Sequence, residues 1–209
     1  MVRGTLRTVW SDGEHIIKKY KRVRWPGDTR RPWILEHRCL TRLHSRGVPA
    51  PLSWGIDHVS KGTVLYRRQF VHGSILADLD NSKSNALADH LSAIHGAGVT
   101  TNDIALDNIL ITDKGQMIFV DYGRGRVFHF RSPLFYFYVG KELARVRRRL
   151  FPESADTWTK FCERYGHNTH YPSWGWLVIR ISSKYWLKRW RVDWHEFGCE
   201  HKTAEKKQS

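Results

Sequence analysis

The chain has 209 residues and a formal net charge of +15, with an isoelectric point near 10.0, enough for one good core or two small lobes around a cleft. With 41% hydrophobic residues it reads as globular, and no run of about 18 apolar residues exists to form a transmembrane helix. The basic excess calls for an anionic partner: nucleic acid, phospholipid headgroups or a phosphorylated substrate.

Residues 5–10 and 15–20 read as two strands around the turn Ser11-Asp12-Gly13-Glu14. Residues 21–31 are basic, contain Pro26 and Gly27, and are expected to form a loop. Pro32 suits a helix start, and Leu35, Cys39, Leu40 and Leu43 give residues 33–45 a buried stripe. Gly47-Val48-Pro49-Ala50-Pro51 ends that helix. Residues 64–71 read as a strand, and Gly73-Ser74 as the start of a short helix carrying Ile75, Leu76 and Leu79. In residues 86–95, Leu87, Leu91 and Ile94 stand at helical spacing, and Gly96 and Gly98 close the element.

Residues 103–123 carry the chemistry. Asp103 precedes Asn108 by five positions. A short apolar run, the turn Asp113-Lys114-Gly115, a second apolar run and Asp121-Tyr122-Gly123 follow. Two short strands around that turn form a hairpin, which brings Asn108 and Asp121 to one end. Phosphoryl transfer from ATP needs one carboxylate to orient a hydroxyl, here Asp103. It also needs an amide and a second carboxylate to hold Mg2+ through hard oxygens, here Asn108 and Asp121. Asp107 is read as structural or substrate-facing. The order D-x4-N, hairpin, D-[FY]-G resembles the catalytic and metal loops of the protein-kinase-like superfamily.

Such a site requires a lysine on an early strand and a glutamate on the following helix. Strand alternation favours Lys18 over Lys19: if Lys18 meets the cleft, Ile16 shares its face and roofs a purine. Glu36 is the acid of the following helix and its natural partner. Backbone groups near residues 67–71 are expected to meet the adenine edge. Beyond Phe130 the chain reads as helical, with loops at Pro133, Pro152 and Pro172, and residues 196–209 as a polar, frayed tail.

The stretch E-H-R-C-L-T-R-L-H-S-R-G-V-P-A-P, Glu36 to Pro51, is similar to the helix and G-V-P corner of bacterial lipopolysaccharide core-sugar kinases. I-I-K-K-Y, K-E-L-A-R-V and F-C-E-R-Y resemble the same family, and the likeness runs over residues 5–166. The resemblance implies an α+β, protein-kinase-like two-lobed fold: a small, truncated sheet lobe (residues 1–68), a mainly helical lobe (69–195) and the tail. It implies ATP-dependent, Mg2+-dependent transfer to a hydroxyl of heptose or 3-deoxy-manno-octulosonate at the cytosolic face of the inner membrane. Thr100 and Asn102 depart from the usual residues before the catalytic aspartate, and no arginine there anchors a phosphorylated activation loop. Ala105 stands where Ser/Thr protein kinases carry lysine. Only Gly4 represents the Gly-rich phosphate loop.

Two other readings remain open: a small atypical protein kinase, or an inactive kinase fold that binds an anionic surface or nucleic acid. Arg124, Arg126 and the run Arg145, Arg147, Arg148, Arg149 suit a phosphorylated substrate or a solvated helix face. Arg180, Lys184, Lys188 and Arg191 form a stripe, away from Ile179, Trp186 and Trp190, that suits an anionic membrane or a wet helix back. Met1-Val2-Arg3-Gly4 lacks the apolar core of a signal peptide. Cys39, Cys162 and Cys199 read as reduced thiols in a cytoplasmic setting. His167 and His170 read as surface residues rather than metal ligands.

Overall fold

The computed structural model describes residues 5–22, 31–60, 62–151 and 155–205. Gly4, and with it the phosphate-loop question, lies outside them, as does most of the basic loop at 23–30. The first part is an antiparallel sheet of β1 (Thr5–Ser11), β2 (His15–Arg22), β3 (Ser53–Ser60) and β4 (Thr63–Gln69), in the order β1-β2-β4-β3. Helix α1 (Pro32–His44) packs on it. Proline at the first helical turn fits there because its missing N–H would find no intrahelical partner. Trp33, Glu36, Leu40 and Leu43 recur at three- and four-residue steps and are the buried face of α1. Trp33 tilts against Tyr20 of β2, ring centroids 5.2 Å apart.

Strand β3 was not expected from the sequence. Its exposed His58 and Val59 and its register shifts against β4 spoil the alternation that would have marked it. The short helix expected after Gly73 is absent. Ser74–Ile75 is instead a two-residue strand, β5, paired with the hairpin below, and Ile75 is exposed. Leu76 alone of the expected apolar trio is fully buried, so no helical face existed to pack.

Helix α2 (Asn81–Gly96) starts one turn earlier than its apolar spacing suggested, because Asp80 caps it by accepting from the Lys83 amide. Strand β6 (Val99–Thr100) follows, then a 3-10 turn (Leu106–Asn108), β7 (Ile109–Ile111), β8 (Met117–Phe119) and β9 (Arg126–Val127). Strands β7 and β8 form the expected hairpin, with Gly115 in the left-handed region at φ 72°.

The last part is helical: α3 (Pro133–Leu150), α4 (Ala155–Asn168) and α5 (Ser173–Glu205). Pro133 opens α3 rather than a loop, after the cap Ser132. Helix α5 continues to Glu205, through most of the expected tail. Helix α3 lies along α5, and α2 along α4. Gly140 permits the first contact, since a Cβ there would stand 2.5 Å from the Ile179 carbonyl oxygen. The core runs from Tyr20, Leu40 and Tyr66 through Leu87, Leu91 and Ile94 to Phe135, Phe161 and Tyr165. Burial of each such side chain contributes about 1.5–3 kcal/mol. No described helix is long and apolar enough to cross a membrane.

Candidate active site

Alternation along β2 buries Lys18 and Tyr20 and leaves Lys19 exposed. Ile16, on the face of Lys18, is half-buried. Helix α1 turns Glu36 toward that face. Lys18 Nζ donates to both Glu36 oxygens, at 2.8 and 2.7 Å, and the pair is almost wholly buried. Arg68 Nε of β4 adds an ionic contact to Glu36 at 3.3 Å. Burial pushes the Glu36 carboxyl up, against the downward pull of Lys18 and Arg68. Breaking such a pair strands a buried charge and typically costs about 3–5 kcal/mol.

The hairpin carries the other half. The Val120 amide donates to the Asn108 carbonyl at 3.0 Å, which sets Asn108 and Asp121 at the same end. Asp121 Oδ1 lies 3.5 Å from Lys18 Nζ and accepts from the Gly123 amide at 3.0 Å. Its Oδ2 accepts from Arg7 of β1 at 3.2 Å. Burial alone would raise the Asp121 carboxyl, but Lys18, the Gly123 amide and Arg7 outweigh it and hold it below the usual range. Glycine at 125 is sterically required, since a Cβ would stand 2.7 Å from Cys39 Sγ.

Asn108 Nδ2 donates to the Asp103 carbonyl at 3.0 Å, joining the two ends of the D-x4-N segment. This leaves the amide oxygen of Asn108 and the carboxylate of Asp121 as hard-oxygen donors, a set that fits Mg2+. No cluster of three or more His, Cys, Asp or Glu capable of holding a metal occurs among the described residues. The kinase arrangement needs none, because phosphate oxygens complete the shell.

One neighbour of the site was missed in the sequence. Glu142 of α3 is buried and accepts from the Thr101 and Asn102 amides, from the Thr101 hydroxyl and from His95. It thereby anchors the backbone ahead of Asp103, where Asn102 adopts φ 57°. K-E-L-A-R-V contained this residue, but a glutamate on an amphipathic helix gives no sign of burial. Arg124, Arg145 and Arg149 converge on the Asp103 carboxylate at 3.6, 3.9 and 3.5 Å. Arg145 is drawn off the solvated face, with its side chain 17% exposed, while Arg149 stays 45% exposed at the edge of the cluster. Arg147 donates to the Phe151 carbonyl, and Arg148 lies over Trp190.

Within residues 67–71, expected to offer backbone groups to an adenine edge, two amides are engaged in the fold. The Gln69 and Phe70 amides already donate to the Leu52 and Glu14 carbonyls. Cys39 is buried, and Cys162, His167 and His170 are exposed. The side chains of Arg191 and Cys199 lie outside the described residues.

No family model matches the sequence. A probable bifunctional tRNA threonylcarbamoyladenosine biosynthesis protein of Haloquadratum walsbyi is 32% identical over 131 residues, 59% of this chain and 24% of that protein. A 3-deoxy-D-manno-octulosonic acid kinase of Xylella fastidiosa is 26% identical over 135 residues, 55% of this chain and 54% of the kinase. The matched region is thus about a quarter of the first relative and about half of the second. Among solved structures, monomeric WbdD superposes with a TM-score of 0.51 at 12% identity, covering 79% of this chain and 45% of WbdD. That likeness concerns the fold alone; WbdD is a bifunctional kinase-methyltransferase.

The fold is α+β and protein-kinase-like. In sequence, the chain resembles the lipopolysaccharide sugar kinases, through the 3-deoxy-D-manno-octulosonic acid kinases of Xylella fastidiosa.

Proposed function

We propose that the protein is a Mg2+- and ATP-dependent phosphotransferase acting on a hydroxyl of a lipopolysaccharide core sugar, heptose or 3-deoxy-manno-octulosonate. The observation that carries this reading is the buried Lys18–Glu36 pair with Lys18 only 3.5 Å from Asp121. A solvent-shielded ammonium fixed between two carboxylates is a poor stability device, since an apolar pair of equal volume commonly serves as well. It is well suited to hold the phosphates of a nucleotide.

In this reading Lys18 orients the ATP phosphates and Glu36 holds Lys18 in place. Ile16 covers the purine, and backbone from Val71 onward meets its edge. Asn108 and Asp121 hold the metal, which when bound neutralises charge on the transferring phosphate. Asp103 accepts the hydrogen bond of the acceptor hydroxyl and orients its oxygen toward the terminal phosphorus. The acceptor O–P bond forms as the bond to ADP breaks, and the hydroxyl proton leaves by way of Asp103. In this reading the expected sheet lobe, residues 1–68, and the expected helical lobe, 69–195, flank the cleft. The exposed Arg180, Lys184 and Lys188 of α5 support a peripheral position on an anionic cytosolic surface.

The test is transfer of labelled phosphate from ATP to 3-deoxy-manno-octulosonate and to heptose-containing core oligosaccharide, with and without Mg2+. The relative in tRNA modification and the net charge of +15 favour a second reading, a small kinase domain working with RNA. Transfer or nucleotide hydrolysis stimulated by tRNA but not by sugar would select it.

A further inference from the structure

The surroundings of Asp103 carry a charge excess that orienting a neutral hydroxyl does not require. Three guanidinium groups, from Arg124 beside the hairpin and from Arg145 and Arg149 of α3, lie within 3.9 Å of its single carboxylate. Arg145 and Arg149 are fixed in place: Arg145 donates to the Asn102 carbonyl, and Arg149 donates to the Ile104 carbonyl at 3.0 Å. Arg124 is 70% exposed and meets Asp103 through Nε at 3.6 Å, too far for a hydrogen bond. Its guanidinium is thus left largely open to solvent beside Asp103. Further cations lie alongside. The Lys141 ammonium is pulled below its usual range by burial and then by Arg145, Arg126, Arg189 and Arg124.

We propose that Arg124, Arg145 and Arg149 form an oxyanion site for the acceptor, so that the accepted hydroxyl belongs to a molecule carrying a carboxylate or phosphate close to that hydroxyl. This rests on Asp103 being the hydroxyl-orienting residue. The physical reason is charge balance. Asp103, with the buried Glu142 acting on Arg145, offsets only part of this positive charge, and a planar guanidinium binds carboxylate or phosphate through parallel N–H···O bonds. An uncharged sugar in this position would leave those donors and charges unmatched wherever it displaced their water. A bound anion instead fixes the acceptor at a second point beside its hydroxyl, which is what positioning for in-line transfer demands.

The experiment titrates the protein with three probes while ADP and Mg2+ are present: inorganic phosphate, 3-deoxy-manno-octulosonate and its uncharged methyl ester. Binding is followed by the fluorescence of the tryptophans, among them Trp190, which stacks 5.5 Å from the Arg145 guanidinium. At least one anion should bind saturably and the ester at least tenfold more weakly; which anion binds separates a phosphate from a carboxylate source. Arg124→Gln, at an exposed position, should weaken the anion about tenfold or more, as loss of one charge-assisted hydrogen bond implies. The Arg149→Lys variant, which keeps the charge, should lose less than Arg149→Gln. No anion binding, equal binding of acid and ester, or unchanged affinity in Arg124→Gln overturns the proposal. Nucleotide affinity is measured separately: loss of anion affinity in Arg124→Gln with nucleotide affinity lost as well would assign the arginines to the ATP phosphates and also overturns it. Absence of nucleotide binding in the wild type would instead remove the kinase reading, while the anion titrations, repeated without ADP, would still decide the arginine site.

Discussion

Lys18 and Lys19 are adjacent lysines whose fates differ because a strand alternates its faces: one is 3% exposed and held by Glu36, the other is solvated. Turnover should therefore fall by two or more orders of magnitude in Lys18→Ala and by less than about threefold in Lys19→Ala, the difference between losing a transition-state contact and losing a surface charge. Equal effects in a steady-state assay would show that the phosphates do not meet this face. Lys18→Ala also uncovers Glu36, so stability must be measured beside activity.

His90 offers a separate test. It is buried in α2, stacked 5.4 Å from Phe119 of the hairpin, and burial lowers its pKa to about 4. The unfolded chain then binds a proton that the folded one refuses. Stability is complete above the ordinary value of 6.5 and declines as pH falls toward 4. The loss attributable to this residue is at most about 3 kcal/mol. In His90→Leu the urea midpoint should vary less between pH 4 and 6.5 than in the wild type. An unchanged slope would mean that the imidazole protonates without disturbing the fold.

Among elements, α3 does more than its sequence suggested. Through Glu142 and Arg145 it holds the amides of residues 101 and 102 and the Asn102 carbonyl, and so fixes the backbone that leads to Asp103. Glu142→Ala would leave the buried Thr101 and Asn102 amides without acceptors and should lower unfolding free energy by about 3 kcal/mol or more, with turnover falling in parallel. Glu142→Gln, which keeps an acceptor oxygen, should lie between. Wild-type stability of Glu142→Ala in urea unfolding would contradict the anchoring role.

The elements that sequence reasoning located best were those with strong local signals. The hairpin had its Asp-Lys-Gly turn, α1 its proline start and apolar stripe, and β1 and β2 the Ser-Asp-Gly-Glu turn between them. What escaped was decided by contacts between distant segments. Strand β3 carries exposed apolar residues, β5 exists only through its pairing with β7, and the Arg7–Asp121 bond spans 114 positions. A charged residue looks alike in sequence whether it is solvated or drawn inward by a partner more than 40 positions away, as Glu142 and Arg145 are.

For the molecule as a whole, the net charge of +15 finds a surface outlet along α5. Trp174, Leu177, Ile181 and Tyr185 recur at three- and four-residue steps with side chains 48–60% exposed. Arg180, Lys184 and Lys188 are exposed beside them. Such an apolar stripe with basic flanks suits an anionic bilayer surface better than a merely wet helix back. Each basic residue near such a surface contributes about 1 kcal/mol, so Lys184→Glu/Lys188→Glu should weaken binding to phosphatidylserine-containing vesicles tenfold or more. Added salt should weaken it as well. Vesicle sedimentation decides: no binding by the wild type, or binding indifferent to salt, would return the stripe to an ordinary solvated face.

The central claim, that the cleft transfers phosphate, meets its most direct test in Asp121→Asn. This substitution removes one hard carboxylate oxygen at the hairpin end while leaving side-chain volume nearly unchanged. Labelled-ATP transfer to 3-deoxy-manno-octulosonate or core oligosaccharide is measured for wild type and variant, with Mg2+ and with excess chelator. The expected result is Mg2+-dependent transfer by the wild type, abolished in a variant whose circular dichroism and melting are retained. Transfer at the wild-type rate by Asp121→Asn, or no Mg2+-dependent transfer by the wild type to either acceptor, would contradict it.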